Sequence, residues 1–257
     1  MIDALNIASS GLTANQAWID SISNNIANMQ TVGYKRSQVK FQDLVQSVGT
    51  ESTSGKGAAI PVTGAGIQVS GQTRVFTPGD VRQTNSSLDI AIQGEGFFEV
   101  SLPSGELAYT RAGRFLVGAD GQLALSSGQV LTTDLRFPPD AANVEIQPDG
   151  VVKARIANTN ETLVVGQIRL AGFASAEQLL SLGEGLYRPT ELSGDAVYAG
   201  PGSEGMGLLL QGHVEMSNVN LIEEMTGLVL AQRAYQLNAR LLQASDQILE
   251  TINNLRR

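Results

Sequence analysis

Residues 23–36 read SNNIANMQTVGYKR, and this stretch decides how the chain is built. It holds the end of an apolar heptad, three asparagines, a Thr-Val-Gly break and then Lys35 and Arg36 together. Upstream, Leu5, Leu12, Ile19 and Ile26 are seven apart, and Ala8, Asn15, Ile22 and Met29 each follow one of them by three. That 3-4 alternation is the seam of a coiled coil. It predicts a helix over the first thirty residues, stopping at Thr31 to Gly33, where Gly33 can take a left-handed cap. Gly11 weakens such a helix by about 1 kcal/mol relative to Ala. Asn15, on the seam, either sets register or faces a small partner or water.

The polar side of this helix is unusual. Only Asp3 and Asp20 carry charge before Lys35, and the remaining polar positions are Asn, Ser, Thr and Gln. Exposed helix faces favour Glu and Lys, which are good helix formers and hydrate well. Amides and hydroxyls suit a face packed against protein, where they donate and accept without desolvating an ion. Two arrangements satisfy this: a helix folded onto another helix of the same chain, or one surrounded by neighbouring molecules.

A second heptad closes the chain. Leu221, Leu228, Tyr235, Leu242 and Leu249 are seven apart, and Leu241, Ile248 and Leu255 widen the stripe. Asn218 or Asn220 is the candidate N-cap, with Glu223 and Glu224 in the first turn and Arg256 and Arg257 at the end favoured by cations. Between the helices, QSVGTESTSGKGAAIPVTGAGIQVSGQTR at 46–74 is Ser, Thr and Gly with few anchors and predicts an extended arm. From about 75 to 213 the signals are β: LDIAIQGEGFFEV, strands broken by Ala-Asp-Gly and Ser-Gly, Pro-Asp-Gly inside VEIQPDGVVKARI, and LVVGQIRLAGF. The expected fold class is α+β. N- and C-terminal helices pair as a coiled coil (1–45 and 214–257), with an extended arm (46–74) and an antiparallel all-β body (75–213).

The net charge of −8 argues against nucleic acid as a partner. Acids and bases balance within 1–45 and again within 221–257, so the whole excess lies in the middle. Neutral ends suit surfaces that pack on like surfaces; an acidic middle suits one that stays wet. There is no cysteine, hence no disulfide, thiolate metal site or thiol nucleophile. The start MIDALNIASSGL lacks a basic region and a long apolar run, so neither a signal peptide nor membrane insertion is expected.

Enzymatic signals are poor. His213 is the single histidine and is expected to be a junction residue rather than a base. GEGFFEV runs into an aromatic strand, not a helix N-terminus, so it is no nucleotide loop, and there is no Walker loop or G-x-S-x-G elbow. Asp89, Glu95 and Glu99 leave a glycosidase pair conceivable, although acids on an acidic body explain them. A secreted adhesin would suit the acidic body but leaves two neutral heptad ends without a purpose. No cofactor is expected.

SNNIANMQTVGYKR resembles the N-terminal signature of the bacterial flagellar axial proteins, the rod and hook family. The likeness continues in SSLDIAIQGEGFFEV at 86–100, AYTRAGRFLVGADGQL at 108–123 and VEMSNVNLIEEMTGLVLAQRAYQLNAR at 214–240. The blocks lie in the family's order and span nearly the whole chain. Length and arm are most similar to the distal-rod branch, with the proximal rod and the hook as alternatives. The resemblance implies a structural subunit, exported unfolded through the flagellar type III apparatus without a cleaved signal, that polymerises helically around a central channel in the periplasm-spanning basal body. Its implied partners are copies of itself, other rod proteins, the hook protein and the surrounding rings. The expected subunit-interaction set comprises the apolar positions Leu5, Leu12, Ile19, Ile22, Ile26, Leu228, Leu242 and Leu249. It adds the amides Asn24, Asn25, Asn28, Asn218 and Asn220, and Tyr34, Lys35, Arg36, Arg233 and Tyr235. Two readings stand open for some of these: Tyr34 to Arg36 form an ordinary helix exit or meet a neighbour's acidic body, and Tyr235 is core or a bridge between subunits.

Overall fold

The computed structural model describes residues 2–47, 62–118, 120–133, 135–156 and 162–255. They divide into two compact units. One comprises Met1–Ile26, Ser37–Thr73 and Asn220–Arg257; the other comprises Ala27–Arg36 and Arg74–Val219. The chain therefore passes between the units repeatedly, and the short segment 27–36 belongs with the β body rather than with the helix that precedes it.

The first unit contains helix α1 (Ile2–Ala27) and helix α2 (Leu221–Leu255). Asp3 sits in the first turn of α1, where an acid complements the dipole. The helix ends at Ala27, a few residues before the expected stop. Asn28 and Thr31 form a turn there, with Thr31 N–H donating to Asn28 O at 3.1 Å and Thr31 Oγ1 to Asn28 Oδ1 at 3.2 Å. Gly33 then adopts φ +70°, and a Cβ there would sit 2.5 Å from the Ala112 nitrogen, so both conformation and space demand glycine.

Helix α2 starts at a cap. Ile222 N–H donates to Asn220 Oδ1 at 3.0 Å, and Glu224 N–H to Asn220 O at 3.0 Å. Of the two N-cap candidates, Asn220 does the capping. Arg256 and Arg257, expected to close the helix, lie outside the described residues.

The two helices touch in antiparallel sense. A Cβ on Gly227 would lie 3.3 Å from Ile22 Cδ1, and one on Gly11 would lie 2.6 Å from Asn238 Nδ2. Gly11 thus weakens α1 intrinsically but leaves room for the Asn238 side chain.

The arm expected at 46–74 is more regular than its composition suggests. Strand Val62–Arg74 pairs with strand Ser37–Ser47, and Ser70 Oγ donates to Lys40 O at 3.2 Å. Residues 48–61 lie outside the described residues. Gly and Ser dilute β propensity, and it is pairing with Ser37–Ser47, a contact outside the segment, that makes it a strand. The expected boundary at 45/46 therefore falls inside a strand.

The second unit is a mainly antiparallel β body. Its largest sheet has seven strands, in the order Leu180–Gly183, Leu186–Arg188, Leu107–Thr110, Phe98–Ser101, Val130–Leu131, Leu123–Leu125 and Phe115–Val117. A three-stranded sheet follows (Ala141–Ile146, Val151–Ile156, Thr162–Gln167), whose first hairpin turns at Pro-Asp-Gly as expected. LVVGQIRLAGF, read as one strand, is two: Thr162–Gln167 and Leu170–Gly172. The Ile168 N–H donates to Gly150 O at 2.8 Å, one position beyond the Val151–Gln167 pair, and the ladder ends there. Three small pairs complete the body: Leu170–Gly172 with Val197–Ala199, Leu208–Gln211 with Ile90–Gln93, and His213–Glu215 with Val81–Gln83.

The main core collects the inward residues of these strands, among them Ile90, Phe98, Phe115, Leu123, Ile168, Leu170 and Leu209. A separate aromatic cluster joins Phe97, Tyr109 and Tyr187 with Phe76 and Phe173 through edge-to-face contacts at centroid distances of 4.9–6.2 Å.

Burial of Tyr187 in that cluster pushes its phenol up to about 12. Tyr109 and Tyr198 are raised as well, both first by desolvation; hydrogen bonding raises Tyr198 further, whereas at Tyr109 the bond with Tyr198 opposes the rise. These phenols keep their protons in the folded state after the unfolded chain has begun to lose its own near pH 10. The unfolded state then binds fewer protons, so stability falls as pH rises through that window. The lowered Lys35 ammonium and Arg111 guanidinium act in the opposite sense, two groups against three phenols. Urea midpoints are expected to drop between about pH 10 and 12, by up to about 1.4 kcal/mol per pH unit for one proton. Phenolate absorbance should lag in the folded protein. Midpoints that stay flat across this range would contradict the assignment.

Candidate assembly surfaces

The four sequence blocks that carry the resemblance meet at one buried point in the β body. Lys35 follows α1, Gly94 lies in the second block, Arg111 in the third and Glu215 in the fourth. The Lys35 ammonium is 0% exposed and lies 2.6 Å from Glu215 Oε1, also donating to Thr77 O at 2.9 Å. The other carboxylate oxygen, Glu215 Oε2, accepts from Arg111 at 3.4 Å. Arg111 further donates to Gly94 O at 2.9 Å and stacks its guanidinium over Phe97 at 5.2 Å. Gly79 N–H completes the shell of Glu215 at 2.9 Å. One carboxylate thus serves two buried cations. Burial pulls the Lys35 ammonium below its ordinary value; the charge and hydrogen bond of Glu215 oppose this, and Arg111 adds to it.

Around this cluster three passes of the chain are tied together. Gly33 N–H donates to Glu215 O at 2.8 Å and Val75 N–H to Arg36 O at 2.9 Å. Asn218 Oδ1 accepts from Arg36 N–H at 2.7 Å, and Asn218 Nδ2 donates to Val75 O at 2.8 Å and Thr77 Oγ1 at 2.9 Å. Arg74 donates to Lys35 O at 3.0 Å and lies over the Tyr34 ring at 5.2 Å. The segment leaving α1, the segment leaving the arm and the segment approaching α2 are therefore fastened to one another inside the β body.

Of the two readings open for Lys35, this geometry fits the helix exit: its charge is met within its own chain. Tyr34 is likewise buried and Arg36 half-buried. Asn218, expected at a subunit contact, bonds its own chain here.

Asn25 also bonds its own chain, one of the two arrangements open for the amide face. It is buried in the helical unit, accepting from Ser37 N–H at 2.8 Å and donating to Ser37 O at 2.8 Å and Glu224 Oε2 at 3.3 Å. Ser21 Oγ also donates to Ser37 O, at 3.2 Å. Part of the amide face is thus internal, packing α1 against its own first strand and the start of α2. Removing the Asn25 side chain by Asn25→Ala would take the acceptor from the buried Ser37 N–H, while Ser37 O keeps its bond from Ser21. The expected cost is about 1–3 kcal/mol in the urea unfolding free energy; a loss below about 0.5 kcal/mol would show that these bonds are not made.

The rest of the expected set separates by exposure. Ile22 is buried, while Leu5, Leu12, Ile19, Ile26, Leu228, Leu242 and Leu249 are half-buried. Asn28 is half-buried, and Asn24, Asn220, Arg233 and Tyr235 are exposed. Sequence spacing placed Leu241 and Ile248 on a widened stripe but missed the rest of the apolar surface of α2: Ile222 is 77% exposed, Leu237 60% and Leu241 59%, with Met225, Val229, Leu230 and Ile248 also exposed. The signal was present, since α2 carries far more Leu, Ile and Met than one seam requires.

His213 is half-buried with Nδ1 2.8 Å from Gln211 O, in the strand preceding the junction. Of the carboxylates considered for hydrolysis, Asp89 is buried and accepts from Thr84 Oγ1 at 2.7 Å, Glu95 is exposed, and Glu99 accepts from Tyr109 and Tyr198.

Comparison with known proteins matches the same blocks. The family described as flagella basal body rod protein covers residues 5–35, the flagellar hook protein FlgE/F/G D1 domain covers 91–154, and the flagellar basal body rod FlgEFG protein C-terminal family covers 210–255. Over the whole chain, it is 39% identical to flagellar basal-body rod protein FlgG of Buchnera aphidicola subsp. Schizaphis graminum, covering 99% of this chain and 100% of that one. This chain belongs to the FlgG-like flagellar rod family. FlgG of Caulobacter vibrioides is 39% identical at 99% and 100% coverage, and FlgG of Bacillus subtilis 36% at full coverage of both. A protein named FlgF, from Mesorhizobium japonicum, is 31% identical over 99% of each chain. In this rod-family chain the ion cluster draws residues from all three matched regions: Lys35, Arg111 and Glu215.

Proposed function

We propose that this chain is the distal-rod subunit of the bacterial flagellum. It polymerises helically into a hollow shaft in which α1 and α2 of successive subunits pack as a coiled-coil layer around the export channel, with the β body outside. The observation that carries this is the apolar surface of α2, which a single subunit leaves open at Ile222, Leu237 and Leu241. Covering each such side chain returns about 1.5–3 kcal/mol, while ordering a residue costs about 1–2 kcal/mol. Long helices bearing uncovered apolar residues therefore reach full stability only among neighbours, which couples their ordering to addition at the growing tip. Contacts that repeat head to tail without closing produce a filament.

The neighbours of this shaft are proximal rod proteins below, the hook protein above and the basal-body rings around it. Subunits reach the tip through the type III export apparatus. The role is structural rather than catalytic. Identity to FlgG-named proteins above that to the FlgF-named one supports the distal position.

A strain lacking the gene tests the assignment. Its basal bodies are expected to stop at a short stub without the outer rod or hook, and supplying the wild-type chain should restore them. A complete rod in the deletion strain would overturn the proposal; absence of any rod would assign the chain to the proximal segment instead.

A further inference from the structure

A cleft of about 620 Å³ opens in the β body, lined by none of the ion-cluster residues, and belongs to no assembly element described above. Its walls bring together Glu99, Thr132, Gln167, Arg169 and Tyr198 over an apolar patch of Leu135 and Val165. Tyr198 is 47% exposed, so its ring is reachable, while its hydroxyl donates to Glu99 Oε2. Tyr109 is buried behind it; its hydroxyl lies 2.9 Å from that of Tyr198 and donates to the same Glu99 oxygen at 3.3 Å. Gln167 is oriented by donating to Asp149 O at 2.9 Å. The result is a fixed carboxylate acceptor, an amide, a guanidinium donor, a threonine hydroxyl and an accessible aromatic ring around one volume. That volume is in the range of small-ligand sites, and the convergence of a few polar groups on a partly apolar wall is their usual form.

We infer that this cleft binds a neutral polyhydroxylated ligand, a short glycan. Planar polar side chains that both donate and accept match the alternating hydroxyls of a sugar, and the Tyr198 ring and the Leu135 and Val165 patch match its C–H face. A strongly anionic ligand would meet Glu99, and a strongly cationic one would meet Arg169. Among the described lining residues Glu99 is the only carboxylate, so the paired carboxylates that cleave glycosidic bonds are not assembled here. The site holds a glycan without hydrolysing it. This inference does not rest on the rod assignment.

The test is titration of the full-length monomer with two probes, N,N′,N″,N‴-tetraacetylchitotetraose and cellotetraose, followed by calorimetry and by Tyr fluorescence. Saturable binding of at least one is expected below about 20 mM. Tyr198→Ala and Arg169→Ala are each expected to weaken it at least ~tenfold, and Tyr198→Phe, which keeps the ring, to weaken it less. Arg169 is exposed, so its variant folds even where Tyr198→Ala does not. No saturable binding of either sugar would overturn the inference. So would binding indifferent to Arg169→Ala, or saturable binding of a neutral tetrapeptide in place of the sugars.

Discussion

Glu215→Gln is expected to lower the unfolding free energy of the isolated subunit by about 3–5 kcal/mol, because it strips the counter-charge from two buried cations at once. Lys35 and Arg111 have no other carboxylate in direct contact among the described residues. Lys35→Met is expected to cost less. Glu215 would retain Arg111 and the Gly79 N–H, and the methionine chain fills most of the volume of the lysine stem. The order of the two effects is the diagnostic feature. If the lysine variant lost more than the glutamate variant, Glu215 would not be the hub. The β-body signals should report the loss, since Glu215, Lys35 and Arg111 all lie in that unit.

The second large effect concerns assembly rather than stability. Leu237→Asp and Leu241→Asp change residues that are mostly exposed in a single subunit, so monomer unfolding should shift by no more than about 0.5 kcal/mol. In the polymer the same carboxylate would be buried against a neighbour without a partner, at a cost of several kcal/mol per contact. Repeated in every subunit, that is expected to abolish rod growth, read as loss of hooks and of swimming. Leu242→Asp differs in an informative way: Leu242 is half-buried within the subunit, so its variant should lose both monomer stability and assembly. Normal swimming with Leu237→Asp and Leu241→Asp combined would remove this face from the assembly.

Much of this fold was legible before any coordinates. The heptads located both helices, and the Pro-Asp-Gly turn located a hairpin, because periodicity and turn chemistry are local. What periodicity does not encode is the partner of a polar group. Composition indicates that the Asn25 face packs on protein, but not whether that protein is the same chain, and it leaves Lys35 between a helix exit and a neighbour contact. Their partners, Glu224 and Glu215, lie about two hundred residues away and become visible only in three dimensions. The arm misled for a related reason: its Gly and Ser content lowers strand propensity, while pairing with Ser37–Ser47 is a non-local contact. The cleft around Glu99 and Tyr198 was equally hidden, since its walls come from four separated segments.

The absence of cysteine allows a direct measurement of the central claim. A Leu237→Cys subunit carries one thiol on the open face of α2, and a Leu116→Cys subunit carries one on the exposed surface of the β body as a control. The account predicts that a small maleimide labels the Leu237→Cys thiol rapidly in the monomer and at least ~tenfold more slowly in assembled rods, where a neighbour covers it. Equal labelling of that thiol in monomer and rod would show that the α2 face stays bare, and would contradict the account.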